Sequence, residues 1–303
     1  MKKKYFCCFF VLGKVLLSCI ISFVILLFGG CLRTTDSSFG RKPYDEALPQ
    51  PIFEENVSYD FFRPKLDICY PDAEKGELYP LIVYIHGGAW SSGTKSEIKE
   101  WMPSFCMKGY VVASVEYTFS DREPFPAQLR DIRNAITFLV DNRDRYHINS
   151  DSIGLWGISA GAHLALITAN ADEIKTDGWE DNFKIAAVSD WSGPTDLTLS
   201  IGAFYAVEML LGKTPGEGID DDMLRYISPT AYISEKSPPT QILQGRLDDI
   251  VFPEHAERLA DLLEQKGDEY ELHFFENKGH TFDDEGQQAL DLMLAFFDKH
   301  LKS

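Results

Sequence analysis

Apolar residues follow two rhythms along the chain. Short continuous apolar runs alternate with stretches in which apolar residues recur every three or four positions. Leu81-Ile82-Val83-Tyr84-Ile85 is one such run, the pattern of a strand buried on both faces. Lys65 to Tyr70, Tyr110 to Val115, Asp151 to Trp156, Ile185 to Val188, Thr240 to Leu243 and Tyr270 to Phe275 read as further strands. Between them, Leu129, Ile132, Ala135, Ile136, Leu139 and Val140 stand at helical spacing after Pro126. Ile98 to Lys108 suits a helix ended by Gly109, and Ala160 to Ala169 a helix of small and apolar residues. Ala256, Leu259, Ala260 and Leu263 mark a late helix; Leu290, Met293, Leu294 and Phe297 mark the last. Alternating strands and helices predict an α/β fold, a mostly parallel sheet with helices on both faces. From about 195 to 235 the rhythm breaks, which predicts an excursion over the carboxyl edge of the sheet, where ligands bind in such folds.

The first thirty residues have another pattern. Lys2, Lys3 and Lys4 form a basic start, and an apolar run from Val15 to Phe28 is interrupted only by Ser18 and Ser22. That length suits a signal-peptide core better than a spanning helix, which needs about 20 apolar residues. The run ends in Leu27-Phe28-Gly29-Gly30-Cys31, which resembles the lipobox of bacterial lipoproteins. The resemblance implies cleavage before Cys31 and a diacylglycerol on its sulfur, hence an exported protein anchored by lipid to a membrane of the cell envelope. The rival reading is an uncleaved N-terminal anchor helix. Residues 31–55, rich in Ser, Thr, Gly and Pro, read as a flexible tether, and 56–303 as one catalytic domain.

Of 303 residues, 45% are hydrophobic and 25% charged, which excludes a disordered or low-complexity chain. A formal net charge of −18 argues against nucleic-acid binding, because such a surface repels phosphate backbones. Cys69 and Cys106 lie beyond the signal and Cys31; they read equally as a disulfide of an exported protein or as two buried apolar residues. No CxxC and no HExxH occurs, so neither metal nor organic cofactor is expected.

The chemistry gathers where strands end. Gly157-Ile158-Ser159-Ala160-Gly161 fits G-x-S-x-G and lies between a predicted strand and a predicted helix, as a nucleophile elbow requires. A serine hydroxyl needs a base, and in this arrangement the order is serine, acid, histidine. Among the downstream histidines, His273 lies inside a strand, His300 at the chain end, and His255 at the start of a helix. His280 follows a strand in the loop Asn277 to Thr281 and is the predicted base. Asp248 and Asp249, after strand 240–244, are both placed to orient it. Oxyanion donors are expected from Ala160 and from the loop His86-Gly87-Gly88-Ala89-Trp90 after the third strand. Gly88 and Ala89 are the expected donors there, Gly87 permits the turn, and His86 reads as structural. Phe204, Tyr205, Trp90 and Trp191 are candidate pocket walls.

With these residues in view, the chain resembles the α/β-hydrolase esterase/lipase group with an HGG-type oxyanion loop. It is most similar to the acetyl-xylan and feruloyl esterase-like (BD-FAE-like) branch. The resemblance rests on His86 to Trp90, Phe125 to Asp131, Ile153 to Ala165, Ser228-Pro229, Gly245-Arg246-Leu247-Asp248, Val251-Phe252-Pro253 and Gly279-His280. Its G-x-x-D pattern selects Asp248 over Asp249. Gln244 departs from it, standing where the group usually has His. The resemblance implies a carboxylesterase acting through an acyl-enzyme on a small-molecule or oligosaccharide ester, among them acetyl or feruloyl esters of plant polysaccharide. The rivals are an amidase, peptidase or formamidase on the same triad, and a non-catalytic surface binding protein.

Overall fold

The computed structural model describes residues 50–59, 64–176, 183–214 and 216–302. The expected signal peptide, the lipidation site Cys31 and the tether as far as residue 49 lie outside the described residues.

The described residues form one eight-stranded sheet in the order β1-β2-β4-β3-β5-β6-β7-β8. Its strands are β1 (Pro51–Ser58), β2 (Lys65–Pro71), β3 (Tyr79–Ile85), β4 (Val111–Val115), β5 (Ile148–Ile158), β6 (Ile185–Trp191), β7 (Thr240–Gly245) and β8 (Tyr270–Phe275). β2 runs antiparallel to β1 and β4; every other neighbouring pair is parallel. The helices are α1 (Met102–Cys106), α2 (Ala127–Asp141), α3 (Arg143–Tyr146), α4 (Ala160–Asn170), α5 (Phe204–Leu210), α6 (Asp221–Tyr226), α7 (Glu254–Lys266) and α8 (Gly286–Leu301). This is the α/β-hydrolase fold that the alternation and the motifs predict.

Strand periodicity explains the continuous apolar runs. Successive side chains point to opposite faces, so Leu81, Val83 and Ile85 enter one core while Ile82 and Tyr84 enter the other. The first core is completed by α2, α4 and α7, the second by α1 and α8. All six apolar positions singled out on α2 are buried.

The strand order reverses between β3 and β5: from β3 the chain moves to β4 on one side, from β5 to β6 on the other. The loops leaving β3 and β5 therefore diverge and leave a crevice at their carboxyl ends, the usual ligand position in open α/β sheets. The HGG loop follows β3 and the serine follows β5.

Three expectations need correction. Residues 51–55 are not tether: they pair with β2 as part of β1, and Glu54 accepts from Tyr70 Oη at 2.7 Å. Pro51 is tolerated because it opens an edge strand, where a missing N–H costs no ladder bond. The helix expected over 98–108 is broken into a 3₁₀ turn, Lys95–Ile98, and the short α1. Pro103 explains the break, since it supplies no N–H and its ring would clash with the Lys99 carbonyl in a continuous helix, so it is tolerated only in the first turn of α1. Strands β5 and β6 also run further than expected, to Ile158 and Trp191. The excursion contains α5, α6 and a 3₁₀ turn, Pro229–Tyr232, and no strand among its described residues.

Candidate active site

Ser159 occupies the turn between β5 and α4 with φ 56° and ψ −121°. Such a conformation is strained for a residue with a side chain and persists only where neighbours enforce it. A Cβ at Gly157 would overlap the backbone of Gly161, and one at Gly161 would overlap the carbonyl of Ile85. Ser159 N–H donates to Trp191 O at 2.8 Å, which ties the turn to the end of β6. Sterics at two glycines and one backbone bond thus hold the hydroxyl at the head of α4, where the helix dipole favours negative charge.

Ser159 Oγ lies 2.9 Å from His280 Nε2, and His280 Nδ1 lies 2.8 Å from Asp248 Oδ2. An ionised carboxylate only accepts, so Nδ1 carries the proton and Nε2 is free to accept from the serine. Asp248 Oδ1 accepts from the N–H groups of Ile250 and Val251, each at 2.9 Å, and Oδ2 also accepts from Gln244 Nε2 at 2.9 Å. Asp248 is buried, whereas Asp249 is exposed. The two loops that carry Asp248 and His280 are docked through backbone: Leu247 N–H donates to Lys278 O at 2.8 Å and Arg246 N–H to Phe275 O at 3.0 Å. Gly245 permits this, because a Cβ there would overlap the Gly279 carbonyl.

The loop after β3 lies against the serine. A Cβ on Gly87 would stand 3.5 Å from that of Ser159 and 2.9 Å from Ile158 O. Gly88, Ala89 and Trp90 all have positive φ, at 106°, 51° and 57°. Ser91 N–H, Ser92 N–H and Ser92 Oγ all donate to Gly88 O, closing the turn. The amides of Gly88, Ala89 and Ala160 have no acceptor among the described residues, which leaves them available to a ligand.

His86 is a strut of this loop. Its Nδ1–H donates to Gly87 O at 2.7 Å, and its ring stacks on Tyr117 with centroids 4.3 Å apart. Tyr117 Oη donates to the carbonyls of His86 and Gly87. Burial pushes the His86 imidazole down to about 4, against the raising effect of its bond to Gly87, so it stays neutral.

Two proposed pocket walls are core. Trp90 is 2% exposed, and its indole N–H donates to His163 Nδ1 at 3.2 Å. His163 Nε2–H in turn donates to Ile227 O at 2.7 Å. Trp191 packs between Trp156 and Phe282. Phe204 is exposed and Tyr205 half-buried on α5.

Sequence reasoning passed over His163 and Asp190, and noted Gln244 only as a departure from the family pattern, without a role. A signal existed for Gln244: a polar residue inside an otherwise buried strand must find partners. Asp190, fully buried at the end of β6, accepts from Gly193 N–H at 2.8 Å. Burial pushes its carboxyl up to about 7, although the Gly193 bond works the other way. Among the described residues no cluster of three or more His, Cys, Asp or Glu side chains is arranged to hold a metal ion. Cys69 and Cys106 are free buried thiols.

The chain resembles several known proteins. A "Probable carboxylic ester hydrolase LipM" of Mycobacterium tuberculosis is 27% identical over 206 residues, covering 64% of this chain and 47% of that protein. The chain spans about half the length of the curated relatives it matches. The solved structure of a "Bifunctional GH43-CE" of Bacteroides eggerthii superposes with a TM-score of 0.72 at 26% identity, over 82% of this chain and 35% of that one. A "Truncated form of carbohydrate esterase from gut microbiota" gives a TM-score of 0.71 at 24% identity, over 83% of this chain and 97% of that one, a likeness of fold. The BD-FAE family model matches residues 66–263, from β2 through the serine elbow and Asp248 to α7, and the chain belongs to the BD-FAE family.

Proposed function

We propose that the protein is a serine carboxylic ester hydrolase with Ser159 as nucleophile, His280 as general base and acid, and Asp248 as the acid that orients His280. The observation that carries this reading is the continuous hydrogen-bonded chain from Ser159 Oγ through His280 to Asp248, at 2.9 and 2.8 Å. His280 Nε2 takes the hydroxyl proton as Oγ attacks the ester carbonyl. The tetrahedral oxyanion accepts from the amides of Ala160, Gly88 and Ala89, the last two on the loop that Gly87 lets approach. Collapse expels the alkoxide, which His280 protonates, and leaves an acyl group on Ser159. Water, deprotonated by His280, then attacks the acyl carbonyl; collapse releases the carboxylic acid and returns the proton to Oγ. No step requires a metal or an organic cofactor.

The natural substrate is proposed to be an acetyl or feruloyl ester of a plant polysaccharide. Family membership and the solved carbohydrate esterase with the same fold support it. The proposed setting is the bacterial cell envelope, with Cys31 lipidated and the signal removed. The motif Leu27 to Cys31 supports this, and a mature protein with an intact N-terminus and no lipid mass would remove it.

The test uses p-nitrophenyl acetate, butyrate and octanoate with the wild-type protein and Ser159→Ala. Expected is rapid wild-type turnover that falls by at least about 10⁴-fold in the variant. Equal rates in two folded proteins would discard the serine assignment. Release of acetate or ferulate from xylan-derived oligosaccharides is the expected sign of the polysaccharide role; cleavage of simple esters alone would confine the proposal to general esterase chemistry.

A further inference from the structure

We infer that Gln244 is a positioning residue of the acid: its side-chain amide holds the Asp248 carboxylate in line with His280 and limits how strongly that carboxylate draws the imidazole proton. The inference rests on the esterase reading above and extends it to a residue outside the triad.

Gln244 is 1% exposed in β7, one residue before the strand's end. Its Nε2 is ringed by three oxygens, Asp248 Oδ2 at 2.9 Å, Val251 O at 3.1 Å and Gly245 O at 3.2 Å. Only the NH₂ end of an amide can face three acceptors, so the orientation of the side chain is fixed by its surroundings. The same bonds span the turn from Gly245 to Val251 that carries the acid.

The Asp248 carboxylate thereby has four donors. Two are backbone N–H groups of its own turn, from Ile250 and Val251, on Oδ1. The other two share Oδ2: His280 Nδ1–H and Gln244. An ionised carboxylate offers about four acceptor sites, so this one is filled. A fourth donor on the oxygen that faces His280 has two effects. It stops the carboxylate rotating away from Nδ1, and it draws charge from Oδ2, which lowers that oxygen's pull on the imidazole proton. The donor is neutral, so it leaves the carboxylate's net charge available to the imidazolium as that forms.

Other ionisable groups lie on the elements around the pair. They are Arg246 and Asp249 on the acid turn, Glu254 and His255 at the start of α7, Asp190 on β6, Asp196 on the segment bonded to His255, and Lys278, Asp284 and Glu285 on the base loop. None of them bonds Gln244 among the described residues. Substituting Gln244 therefore changes the acid's hydrogen bonding while leaving those groups in place.

The experiment compares the full chain with Gln244→Met, which keeps length and loses the donor, and Gln244→His, which keeps one donor. Steady-state hydrolysis of p-nitrophenyl acetate is measured from pH 5 to 9. The low-field proton of His280 Nδ1–H is followed by NMR over the same range. Gln244→Met is expected to lose about tenfold in kcat with KM within about twofold. The acid limb of kcat/KM and the midpoint of the low-field proton are both expected to move up by about half a unit, since the freed Oδ2 holds the imidazole proton harder. Gln244→His is expected to restore most of the limb. In the unsubstituted chain, the side-chain amide protons of Gln244 should shift with the same midpoint as the His280 proton, a readout that needs no variant to fold. A lower melting temperature with an unmoved acid limb and unmoved low-field proton would overturn the inference, as would a Gln244 amide blind to the titration. Absence of wild-type turnover would sink the esterase reading instead, while the NMR arm would still decide the role of Gln244.

Discussion

Trp90 shows how one side chain can look functional in sequence and be structural in space. It stands at the end of the HGG loop beside the site, yet its ring is buried and its N–H serves His163. Burial pushes the His163 imidazole down to about 4, so the ring is neutral and has a single acceptor nitrogen, Nδ1. Trp90→Phe keeps one aromatic ring, removes the donor and leaves a gap where the rest of the indole stood. It is expected to cost more than the roughly 1–3 kcal/mol of a buried acceptor left unpaired, because the cavity adds to it, read as a fall in the urea midpoint with unchanged slope. The proposed triad was legible because each member carries a local sign: small residues around Ser159, a post-strand loop at His280, and two carboxyls after β7. Choosing Asp248 needed the family pattern. In the structure the two backbone amides that bond Asp248 and the exposure of Asp249 give the physical reason. The partners of His163 were not legible, since Trp90 and Ile227 lie far from it in sequence and meet it only through tertiary packing.

At the scale of elements, the apolar pattern located every helix of three turns or more among the described residues, α2, α7 and α8 by periodicity and α4 by its small and apolar residues, while edges and breaks escaped it. β1 carries a Pro and two adjacent acids, which hides a strand whose ladder bonds are its main support. The excursion is held by contacts that no periodic pattern records. Thr195 Oγ1 donates to His255 O at 2.6 Å, Asp196 N–H donates to His255 Nδ1 at 3.3 Å, and His255 Nε2–H donates to Ser200 O at 3.2 Å. One residue at the head of α7 thus fastens residues 195–200, and Gly202 N–H continues the seam by donating to Ile250 O at 2.7 Å beside the acid turn. His255→Ala is expected to cost roughly 1–3 kcal/mol and to speed hydrogen exchange at the Asp196 amide selectively. Uniform acceleration across the sheet would mean that the residue serves the whole fold instead.

The whole molecule carries opposing pH dependences. His86 and His163 are pushed by burial from 6.5 to about 4, so the unfolded chain takes up their protons first. The stability they allow is complete above pH 6.5 and is lost as pH falls toward 4. Asp190 acts in the other direction: its folded value is raised from 3.8 to about 7, so its contribution is complete below 3.8 and is lost as pH rises through 7. Asp190→Asn keeps an acceptor for Gly193 N–H and removes the titration. Its expected gain in unfolding free energy is near zero at pH 4 and rises to at most roughly 4 kcal/mol at pH 8. Urea melts at the two pH values measure it, and equal gains at both would show that the carboxyl does not titrate in the fold. Sequence alone exposes none of this, because a pKa depends on which residues surround the group after folding.

The docking of the acid turn onto the base loop has a consequence for the newborn chain. His280 is borne by the loop that follows β8, which is the outermost strand and pairs only with β7. During synthesis Ser159 emerges more than a hundred residues before His280, its proposed base, so until β8 joins the sheet that partner is missing. On the proposed triad, activity therefore waits for β8, the last strand among the described residues. A chain arrested short of that strand would carry Ser159 without the proposed base, His280.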